Sequence, residues 1–450
     1  MWIFYIIFLW LMYETTWQFK QALDTAIMQS DILKIFDNLL TIAVEEWASD
    51  IHIEPMENYC RIRIRIDWIL IELVQYPKTL HENLISKFKI ESGQMRPDEK
   101  RIPQDARVSN VTLTNKEIDM RANTLPTVWW EKLVMRIVDK SKKTPPLEVL
   151  WLEWSGKKLI MRHLESPNGI ILNTGPTWSW KTTTLYACLD HINSPEINIT
   201  TFEDPVENKM EWLNQAQVRS DIWFTFASGL RSALRQDPDV IMVWEIRDAE
   251  TLEMAMEAAM TWHLVFSTIH TNSAVETISR VLNLWALPYM VAGTFNLVIA
   301  QRLARKNCAK CSAPFDVKDD YRWQHAKQAF MNFDKDRLKK EIESRNITKD
   351  QWLSFFSEWK IMKWTWKLPD GTECPLCGWS GYKWRVWLYE LMDYNDEIKN
   401  MLMEQRTNME IEQSALQHWM INLERDGIFK VIEWQTDLDE VYKFVKVKNI

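Results

Sequence analysis

The sequence predicts an α/β protein built around a phosphate-loop nucleotide-binding domain. Three observations support this fold class: an apolar run that enters "GPTWSWKTTT" (175–184), short apolar runs at 240–243 and 263–269, and two Cys-x-x-Cys pairs. Buried parallel strands read as continuous apolar runs, and phosphate loops follow such strands directly. Paired cysteines at this spacing are typical of a zinc site. We therefore expect strands and helices that alternate, with a metal-binding segment beyond them.

Length and charge limit the functional classes. A chain of 450 residues with a net charge of −8 predicts several domains and argues against a nucleic-acid-binding protein, which usually has a basic face. The apolar start, residues 1–13, would span roughly 20 Å as a helix, less than the hydrocarbon core of a bilayer. We interpret it as an interfacial segment, a packing element or a misassigned start, and expect a cytoplasmic protein.

Alternating strands indicate a first α/β domain over 31–143. "DIHIEP" (50–55) and "CRIRIRID" (60–67) both have period-2 hydrophobicity, as half-buried strands do. Arg61, Arg63 and Arg65 fall on one face, where like charges repel each other. This favours an anionic partner over a simple solvated edge. "SKKTPPLEVL" (141–150) then indicates a linker, because its two prolines exclude a helix interior.

The phosphate-loop pattern G-x-x-x-x-G-K-[ST] fits at every position but one. Gly175, Lys181 and Thr182 match, whereas position 180 is Trp180. In such loops backbone N–H groups surround a phosphate, the lysine reaches the β- and γ-phosphates, and the hydroxyl binds Mg²⁺. The predicted nucleotide-binding residues are Gly175, Pro176, Thr177, Trp178, Ser179, Trp180, Lys181, Thr182 and Thr183, and Thr182 is the predicted magnesium ligand.

The numbers of glycine and tryptophan residues in this chain are unusual. The chain has 10 glycines and 26 tryptophans, whereas glycine normally makes up about 7% of a protein. Many of these tryptophans stand in turn-like segments such as "TVWWEK" and "CGWSGYKW", where glycine is favoured because it adopts positive φ without a steric penalty. We hypothesise that UGA codons read as glycine have been translated as tryptophan. The alternative is a truly tryptophan-rich chain.

Three polar side chains after apolar strands are the predicted catalytic groups. Glu245 follows "VIMV" (240–243) and is the candidate to orient the attacking water. Glu203 follows the strand 197–202, where a second acid beside the metal would lie, and His270 follows the strand 263–269. Each has a simpler interpretation: a surface acid, a solvated loop or a structural histidine.

Two arginines complete the predicted catalytic set. Arg231 and Arg235 are four residues apart, so on a helix they would share one face. We interpret them as cations that stabilise phosphate charge in the same or a neighbouring subunit. Simple solvation is the alternative.

Cys308, Cys311, Cys374 and Cys377 are the predicted zinc ligands. Four thiolates leave no open coordination position, so the predicted site is structural and not catalytic. Residues 312–373 between the pairs are strongly charged and read as a mostly helical insertion, and the tail beyond 390 has helical spacing in "IKNMLMEQ" and "IEQSALQHWMINLER".

Taken in order, these motifs resemble the hexameric ATPases of type IV pilus assembly and type II secretion. "ASDIHIEP", "RIRIRIDW" and "KRIPQDARV" are similar to the family's PAS-like N-terminal domain. "GPTWSWKTTTLY", "TFEDPVE", "QDPDVIMVWEIRDAET" and "TWHLVFSTIHTNSA" are similar to its Walker A, Asp box, Walker B and His box, and the cysteine pairs to its zinc-bearing segment. The family usually has a longer N-terminal region than the residues 1–30 that stand here before the first domain.

The resemblance implies a domain plan and a site. It implies a lead-in over 1–30, a PAS-like domain over 31–143, a RecA-like ATPase domain over 144–305, a zinc segment over 306–388 and a helical region over 389–450. ATP is expected between the first two domains, held by 175–183 with Mg²⁺. Glu203, Glu245 and His270 would complete the site, together with Arg63, Arg65, Arg231 and Arg235.

The resemblance also implies partners and a glycine pattern. We expect a homo-hexamer at the cytoplasmic membrane that turns a polytopic platform protein and so acts indirectly on pilin subunits. The tetracysteine segment favours the assembly motor over the retraction motor. The family typically has glycine at the positions held here by Trp47, Trp68, Trp130, Trp178, Trp180, Trp212, Trp244, Trp262, Trp285, Trp379, Trp384 and Trp387.

Three alternatives remain open at this point. The first is a motor for type II secretion, since both machines share these motifs. A literal Trp178 and Trp180 would instead make the chain a non-hydrolysing structural homologue. A nucleic-acid translocase on the same core is disfavoured by the acidic balance.

Overall fold

The computed structural model describes residues 18–445, apart from 67–68, 114–115, 140–143, 151–154, 177–178, 220–221, 332, 366, 369, 375 and 378–379. The apolar segment 1–13 therefore lies outside the described residues. The chain divides into two compact units between Lys143 and Thr144. This division coincides with the predicted linker, although Leu147–Leu150 forms a short helix.

The N-terminal unit is a six-stranded antiparallel sheet with helices. After a helical stretch at 18–28, its helices are α1 (Ile32–Glu45) and α2 (His81–Ser92), with a 3₁₀ turn at Lys78–Leu80. The strands are β1 (Asp50–Pro55), β2 (Cys60–Ile66), β3 (Ile69–Tyr76), β4 (Gln104–Leu113), β5 (Lys116–Pro126) and β6 (Glu131–Asp139), in the order β3-β2-β1-β6-β5-β4. Both predicted strands are confirmed. Leu23 and Ala26 are buried in this unit's core, so part of the predicted lead-in over 1–30 belongs to the unit itself.

A seven-stranded sheet organises the second unit. Its strands are β7 (Gly169–Thr174), β8 (Ile199–Glu203), β9 (Leu213–Gln217), β10 (Val240–Val243), β11 (Leu264–Ile269), β12 (Phe295–Asn307) and β15 (Tyr382–Asp393), in the order β15-β12-β7-β11-β10-β8-β9. All neighbours are parallel except β12 and β15. Every residue of β7, β10 and β11 is buried, which explains their unbroken apolar sequences.

Helices enclose this sheet between two hydrophobic cores. They are α3 (Leu147–Leu150), α4 (Ser155–Leu164), α5 (Lys181–Ile192), α6 (Phe226–Ala233), α7 (Ala249–Met260), α8 (Glu276–Asn283) and α9 (Pro288–Thr294). On β7, Ile170 and Leu172 face one core while Ile171 faces the other. Burial of each such side chain contributes about 1.5–3 kcal/mol to the free energy of folding. The sheet is therefore held from both sides.

The predicted boundaries at 305/306 and 388/389 are wrong, because both fall inside strands. β12 continues to Asn307, and β15 already begins at Tyr382. The two strands pair with each other antiparallel, so the cysteine pairs leave the sheet from neighbouring strands. This pairing explains how a long insertion can begin and end at one place.

The insertion over 312–373 combines three helices with a two-stranded sheet, so the helical prediction holds only in part. It contains β13 (Ser312–Asp316), α10 (Tyr321–Met331), α11 (Lys335–Ser344), α12 (Lys349–Phe356) and β14 (Lys360–Trp364), and β13 pairs with β14. The C-terminal helices are α13 (Asp396–Met403), α14 (Asn408–His418), α15 (Leu423–Ile432) and α16 (Leu438–Val441). The segment "IEQSALQHWMINLER" is thus divided between two helices, because Asn422 caps the start of α15.

A buried charge cluster joins the insertion to α15. The Arg345 guanidinium, after α11, donates to Glu341 (2.8 Å), Asp426 (2.6 Å) and Glu433 (3.3 Å). Burial opposes the charged form of Arg345, but these carboxylates raise its pKa above the usual value. Among the described residues, no helix is long and apolar enough to cross a membrane.

Candidate nucleotide and metal sites

The predicted phosphate loop joins β7 to α5 at the carboxyl end of the sheet. Gly175 follows β7 directly, and a Cβ there would lie 2.6 Å from both the Gln301 carbonyl oxygen and Ser179 Oγ. Only glycine fits such a close approach. Residues 177–178 lie outside the described residues, so nothing is said of Thr177 and Trp178.

Trp180 caps the start of α5 in a left-handed conformation. Its φ is 61° and its ψ is 33°, a region that glycine enters freely and bulky side chains rarely adopt. Its indole is 37% exposed and contacts the ring of Trp387 edge-on, with centroids 6.1 Å apart. The backbone at position 180 is therefore one that glycine adopts without strain.

Three of the predicted functional side chains meet at this edge. Lys181 Nζ lies 3.1 Å from His270 Nδ1, and His270 Nε2 lies 3.0 Å from Glu245 Oε1. Because a carboxylate can only accept, the proton on Nε2 faces Glu245. His270 Nδ1 also lies 3.2 Å from the Gly175 carbonyl oxygen, so a neutral ring accepts from Lys181 at Nδ1 and a protonated ring donates there to Gly175. The strands that carry these groups are adjacent in the sheet, which brings their carboxyl ends together.

Burial and bonding define the charges of this triplet. Burial lowers the pKa of Lys181 to about 8, although the Glu245 charge opposes that shift. Lys181 Nζ also donates to the Gly175 carbonyl (2.6 Å), and Arg247 Nε donates to Glu245 Oε2 (2.8 Å). Each Glu245 oxygen therefore has one protein partner, and each can accept a further hydrogen bond. His270 is half exposed.

Glu203 follows a neighbouring strand but has different partners. It is fully buried at the end of β8, where Tyr186 Oη, Thr201 Oγ1 (2.7 Å) and Gln215 Nε2 (3.0 Å) all donate to its carboxylate. These bonds hold Glu203 within the domain. Thr182, the predicted magnesium ligand, lies partly exposed in the first turn of α5, next to Thr183.

The predicted helix face shared by Arg231 and Arg235 is wrong. Helix α6 ends at Ala233, so only Arg231 is helical, and its guanidinium pairs with Glu250 (3.0 Å). Arg235 lies in the turn that follows and is exposed. The chain turns here because Pro238 disfavours helix in the residue before it, and Asp237 adopts a φ of 50°.

In the N-terminal unit the predicted phosphate-binding arginines have carboxylate partners. Arg63 donates to Glu54 (2.8 Å), and Arg65 Nε lies 3.7 Å from Asp50. Burial raises the pKa of Glu54, but hydrogen bonds from Arg63, Lys132 and Arg61 outweigh this effect and hold it at about 2. Acids of β1 in the same sheet therefore neutralise this arginine face, and the anionic partner inferred from the sequence stays a prediction.

Sequence reasoning missed two groups of charged residues. Arg107, Arg121 and Arg136 line a cavity of about 430 Å³ in the N-terminal unit, together with Asp50 and Asp105. They are spread over three strands, so no single motif marks them. Arg302 and Glu390 are buried in β12 and β15; a charged residue inside an apolar strand, as in "IAQRLA", was the available signal.

The four predicted metal ligands converge. The sulfur atoms of Cys308, Cys311, Cys374 and Cys377 all lie within 4.8 Å of one another, and every one of these residues is buried. The Cys308–Cys374 and Cys311–Cys377 sulfur distances are both 3.7 Å. Tetrahedral zinc with Zn–S bonds of about 2.3 Å requires sulfurs about 3.8 Å apart. The donor set therefore fits zinc.

Comparison with known proteins places the chain in a family context. Residues 25–443 match the family described as Type II/IV secretion system protein. The type IV pilus assembly ATPase PilB of Acinetobacter baylyi is 40% identical over 413 residues, which cover 92% of this chain and 66% of the relative. PilB of Pseudomonas aeruginosa is 37% identical, covering 95% and 70%. The type II secretion system protein E of Aeromonas hydrophila is 36% identical, covering 92% and 76%.

Solved structures support the fold. The Legionella pneumophila ATPase DotB superposes with a TM-score of 0.61 at 18% identity, covering 91% of this chain and 94% of that one. The pilus retraction motor PilT with bound ADP gives 0.56 at 23% identity, covering 91% and 96%. The matched residues span 66% of the length of the Acinetobacter relative.

The lowered pKa of Lys181 predicts pH-dependent binding of phosphate ligands. The ammonium loses its proton near pH 8, so affinity for inorganic triphosphate should fall at least about tenfold between roughly pH 7 and pH 9.5. Calorimetry measures this fall. Lys181→Arg is the control, because its guanidinium stays charged throughout. Equal pH profiles for the two proteins would contradict the assignment.

Proposed function

The chain belongs to the Type II/IV secretion system protein family, alongside the PilB and type II secretion E ATPases, and we propose that it hydrolyses ATP as a hexameric motor for type IV pilus assembly. The supporting observation is the contact series Lys181–His270–Glu245 beside a phosphate loop. A lysine for the phosphates and an acid for the water are the groups that nucleotide hydrolysis needs in one place.

The roles follow from the chemistry of each side chain. Lys181 and the backbone of the loop bind the β- and γ-phosphates of ATP. Mg²⁺, held with the help of Thr182, would neutralise phosphate charge when bound. Glu245 orients the water and accepts its proton. In this assignment the position of His270 depends on both Lys181 and Glu245, because its ring contacts the lysine and the acid.

Five further residues are proposed to assist ATP hydrolysis through their position and charge. They are Glu203, Arg231, Arg235, Arg63 and Arg65. The carboxylate partners of Arg63 and Arg65 favour a role in which ATP phosphates compete for the same guanidinium groups. Within the described part of the chain, the ion pair of Arg231 is the exposed one with Glu250. Such a pair contributes little, so this arginine is free to exchange it for a phosphate in its own or a neighbouring subunit.

The remaining parts of the proposal rest on the relatives. PilB proteins are pilus assembly ATPases, and we extend to this chain a PAS-like N-terminal domain, a RecA-like second unit, a platform protein in the membrane as partner, and pilins as indirect substrates. A type II secretion motor is the second candidate, favoured by 36% identity to the Aeromonas protein. The genes beside this one, for pilins or for a secretion channel, separate the two.

The cysteine cluster is proposed to hold structural zinc. Four buried sulfurs at tetrahedral spacing leave no position for water or substrate. The zinc would fasten the ends of β12 and β15, where the Cys308 N–H donates to the Gly381 carbonyl (3.0 Å). It would therefore stabilise the base of the insertion.

ATP hydrolysis is tested in a chain that carries Trp178→Gly and Trp180→Gly. We expect Mg-dependent ATPase activity from this protein, and a fall in kcat of at least about 100-fold when Glu245→Gln is added, since general-base groups contribute typically 10²–10⁴. Glu257→Gln, an exposed acid of α7, is the matched control and should leave kcat unchanged. Equal activity in the Glu245 and Glu257 variants would refute the assignment, and activity of the literal tryptophan chain would show that the loop tolerates an indole.

Zinc is tested by metal analysis and chelation. We expect one zinc per chain by atomic emission, loss of that zinc in Cys374→Ser, and a lower thermal midpoint after chelation because metal binding is linked to folding. Cys60→Ala, at a buried thiol of the other unit, is the control and should retain zinc. A protein purified without metal, and indifferent to chelator, would exclude the site.

A further inference from the structure

The described residues adopt positive φ mainly at glycine and tryptophan. Thirteen residues other than glycine have a φ between 50° and 71°, and nine of them are tryptophan. The nine are Trp47, Trp180, Trp212, Trp223, Trp262, Trp285, Trp359, Trp384 and Trp434. A side chain beyond Cβ disfavours this region, which glycine enters as readily as the right-handed one. No property of an indole explains such a preference.

Four of the nine end helices in the Schellman motif. Trp47, Trp262, Trp285 and Trp434 each stand just past the cap of α1, α7, α8 or α15. In each case the residue after the tryptophan donates to the carbonyl five residues before it, at 2.8–3.2 Å. Glycine is the usual residue at this position, with asparagine second. Gly93 after α2 and Asn346 after α11 take the same conformation in this chain.

Solvent exposure supports the same conclusion. Eight of the nine indoles are exposed, and those of Trp223 and Trp285 reach 87% and 86%. A large apolar ring gains nothing by facing water, whereas a glycine at a turn needs no contacts at all. Most of these positions therefore combine the backbone that glycine favours with an exposed ring. Trp359 is the half-buried one, with Lys318 Nζ 4.7 Å from its ring centroid.

Trp323 is the opposite case. It lies inside α10, where only 5% of its surface is exposed. Its ring packs against Phe355 with ring centroids 6.3 Å apart. Its indole Nε1 donates to the Phe355 carbonyl oxygen (3.1 Å). The ring fills space in the core and the N–H makes a hydrogen bond, as expected of a native tryptophan.

We infer that cells that make this protein place glycine at the nine left-handed positions and tryptophan at 323. The two kinds of site would use different codons, UGA for glycine and UGG for tryptophan. The inference goes beyond the proposed function, since it concerns the whole chain and holds whether or not the protein hydrolyses ATP. At position 180 it supplies the second glycine of the phosphate loop.

Tandem mass spectrometry of the natively made protein tests this sorting. The expected result is glycine in the peptides that contain 180, 262 and 285, and tryptophan in the peptide that contains 323. Tryptophan at the first three would overturn the inference, and glycine at 323 would overturn the sorting. Recombinant chains give a second measurement: replacing the nine tryptophans by glycine should raise the thermal midpoint, while Trp323→Gly in that background should lower it.

A separate observation concerns Glu390, whose carboxylate bridges two parts of the second unit. It is buried on β15, accepts from the Ala274 backbone N–H (2.6 Å) through one oxygen, and accepts from the Leu423 N–H (3.2 Å) through the other. Ala274 lies in the loop 270–275 that His270 begins, and Leu423 is the first residue of α15. One buried charge therefore fixes the histidine loop and a C-terminal helix together.

The rest of the loop is tied to the phosphate-loop strand. Thr271 N donates to Thr174 Oγ1 (2.9 Å), and Arg302 donates to the Asn272 carbonyl oxygen (2.5 Å). On the other side, α15 carries Asp426, which binds Arg345 of the insertion and accepts from Tyr389 N (2.8 Å). We therefore expect a displacement of His270 to alter the contacts of α15 and of the insertion.

We propose that Glu390 is a positioning residue that sets the place of His270 and transmits its movement to α15. This rests on the proposed ATPase function. Burial is the main influence on Glu390 and raises its pKa to about 7. The hydrogen bonds from the Ala274 and Leu423 N–H groups and the Arg302 charge oppose this rise, and the Glu412 charge adds to it. The charged form, which serves both N–H groups, therefore prevails above about pH 7 and is lost below it.

Glu390→Gln tests this role. We expect kcat for ATP to fall at least about fivefold with KM changed less than about twofold, because ATP contacts are untouched. The deficit should be largest above pH 7 and shrink as the native carboxyl becomes protonated. Asp437→Asn is the matched control, a buried carboxylate of the same unit that binds Tyr382 and the Glu440 N–H. It should keep the native kcat and profile.

Equal loss in both variants, or a pH-independent deficit in Glu390→Gln, would assign Glu390 to stability alone and overturn the proposal. Amide hydrogen exchange does not require hydrolysis and separates this failure from failure of the ATPase assignment. Faster exchange at Ala274 and Leu423 in Glu390→Gln supports the bridge, and unchanged exchange overturns it.

Discussion

The adjacency of three parallel strands, β7, β11 and β10, is the constraint on which the candidate site depends. Thr174 at the end of β7 lies opposite Ile269 at the end of β11, and Val243 of β10 lies opposite Ser267. This register brings Gly175, His270 and Glu245 to one edge although they are far apart in sequence. A strand shifted by one residue would turn its side chains to the other face, and the contact series would be lost.

Buried carboxylates organise both units. Glu54, Glu203 and Glu390 each lie inside the protein, and each is bound by several donors. A buried charge is tolerated only when its hydrogen-bonding capacity is used. Such a carboxylate also fixes the positions of the groups around it, because every donor that it binds is held in place. Glu245 differs in that one of its partners, His270, is half exposed.

The tryptophans change what the phosphate loop can do. At position 180 the backbone is one that glycine adopts without strain, and only the side chain opposes a close approach of phosphate. Decay of a site would alter many residue types, whereas here Gly175, Lys181 and Thr182 all fit the pattern. The same residue type recurs at helix ends far from any ligand. A difference in decoding accounts for both groups of positions at once.

The sequence alone determined the strands that carry the candidate site, the four cysteines that meet in one cluster and the candidate residues Lys181, Glu245 and His270. It could do so because apolar runs, cysteine spacing and strand-end polar residues are local signals. Only the tertiary structure decided which of them meet, that Arg235 lies beyond its helix, and that Glu390 connects His270 to α15. It also placed Arg63 and Arg65 against acids of their own sheet. These outcomes depend on strand order, burial and hydrogen bonds between residues distant in sequence, and no local pattern encodes such partners.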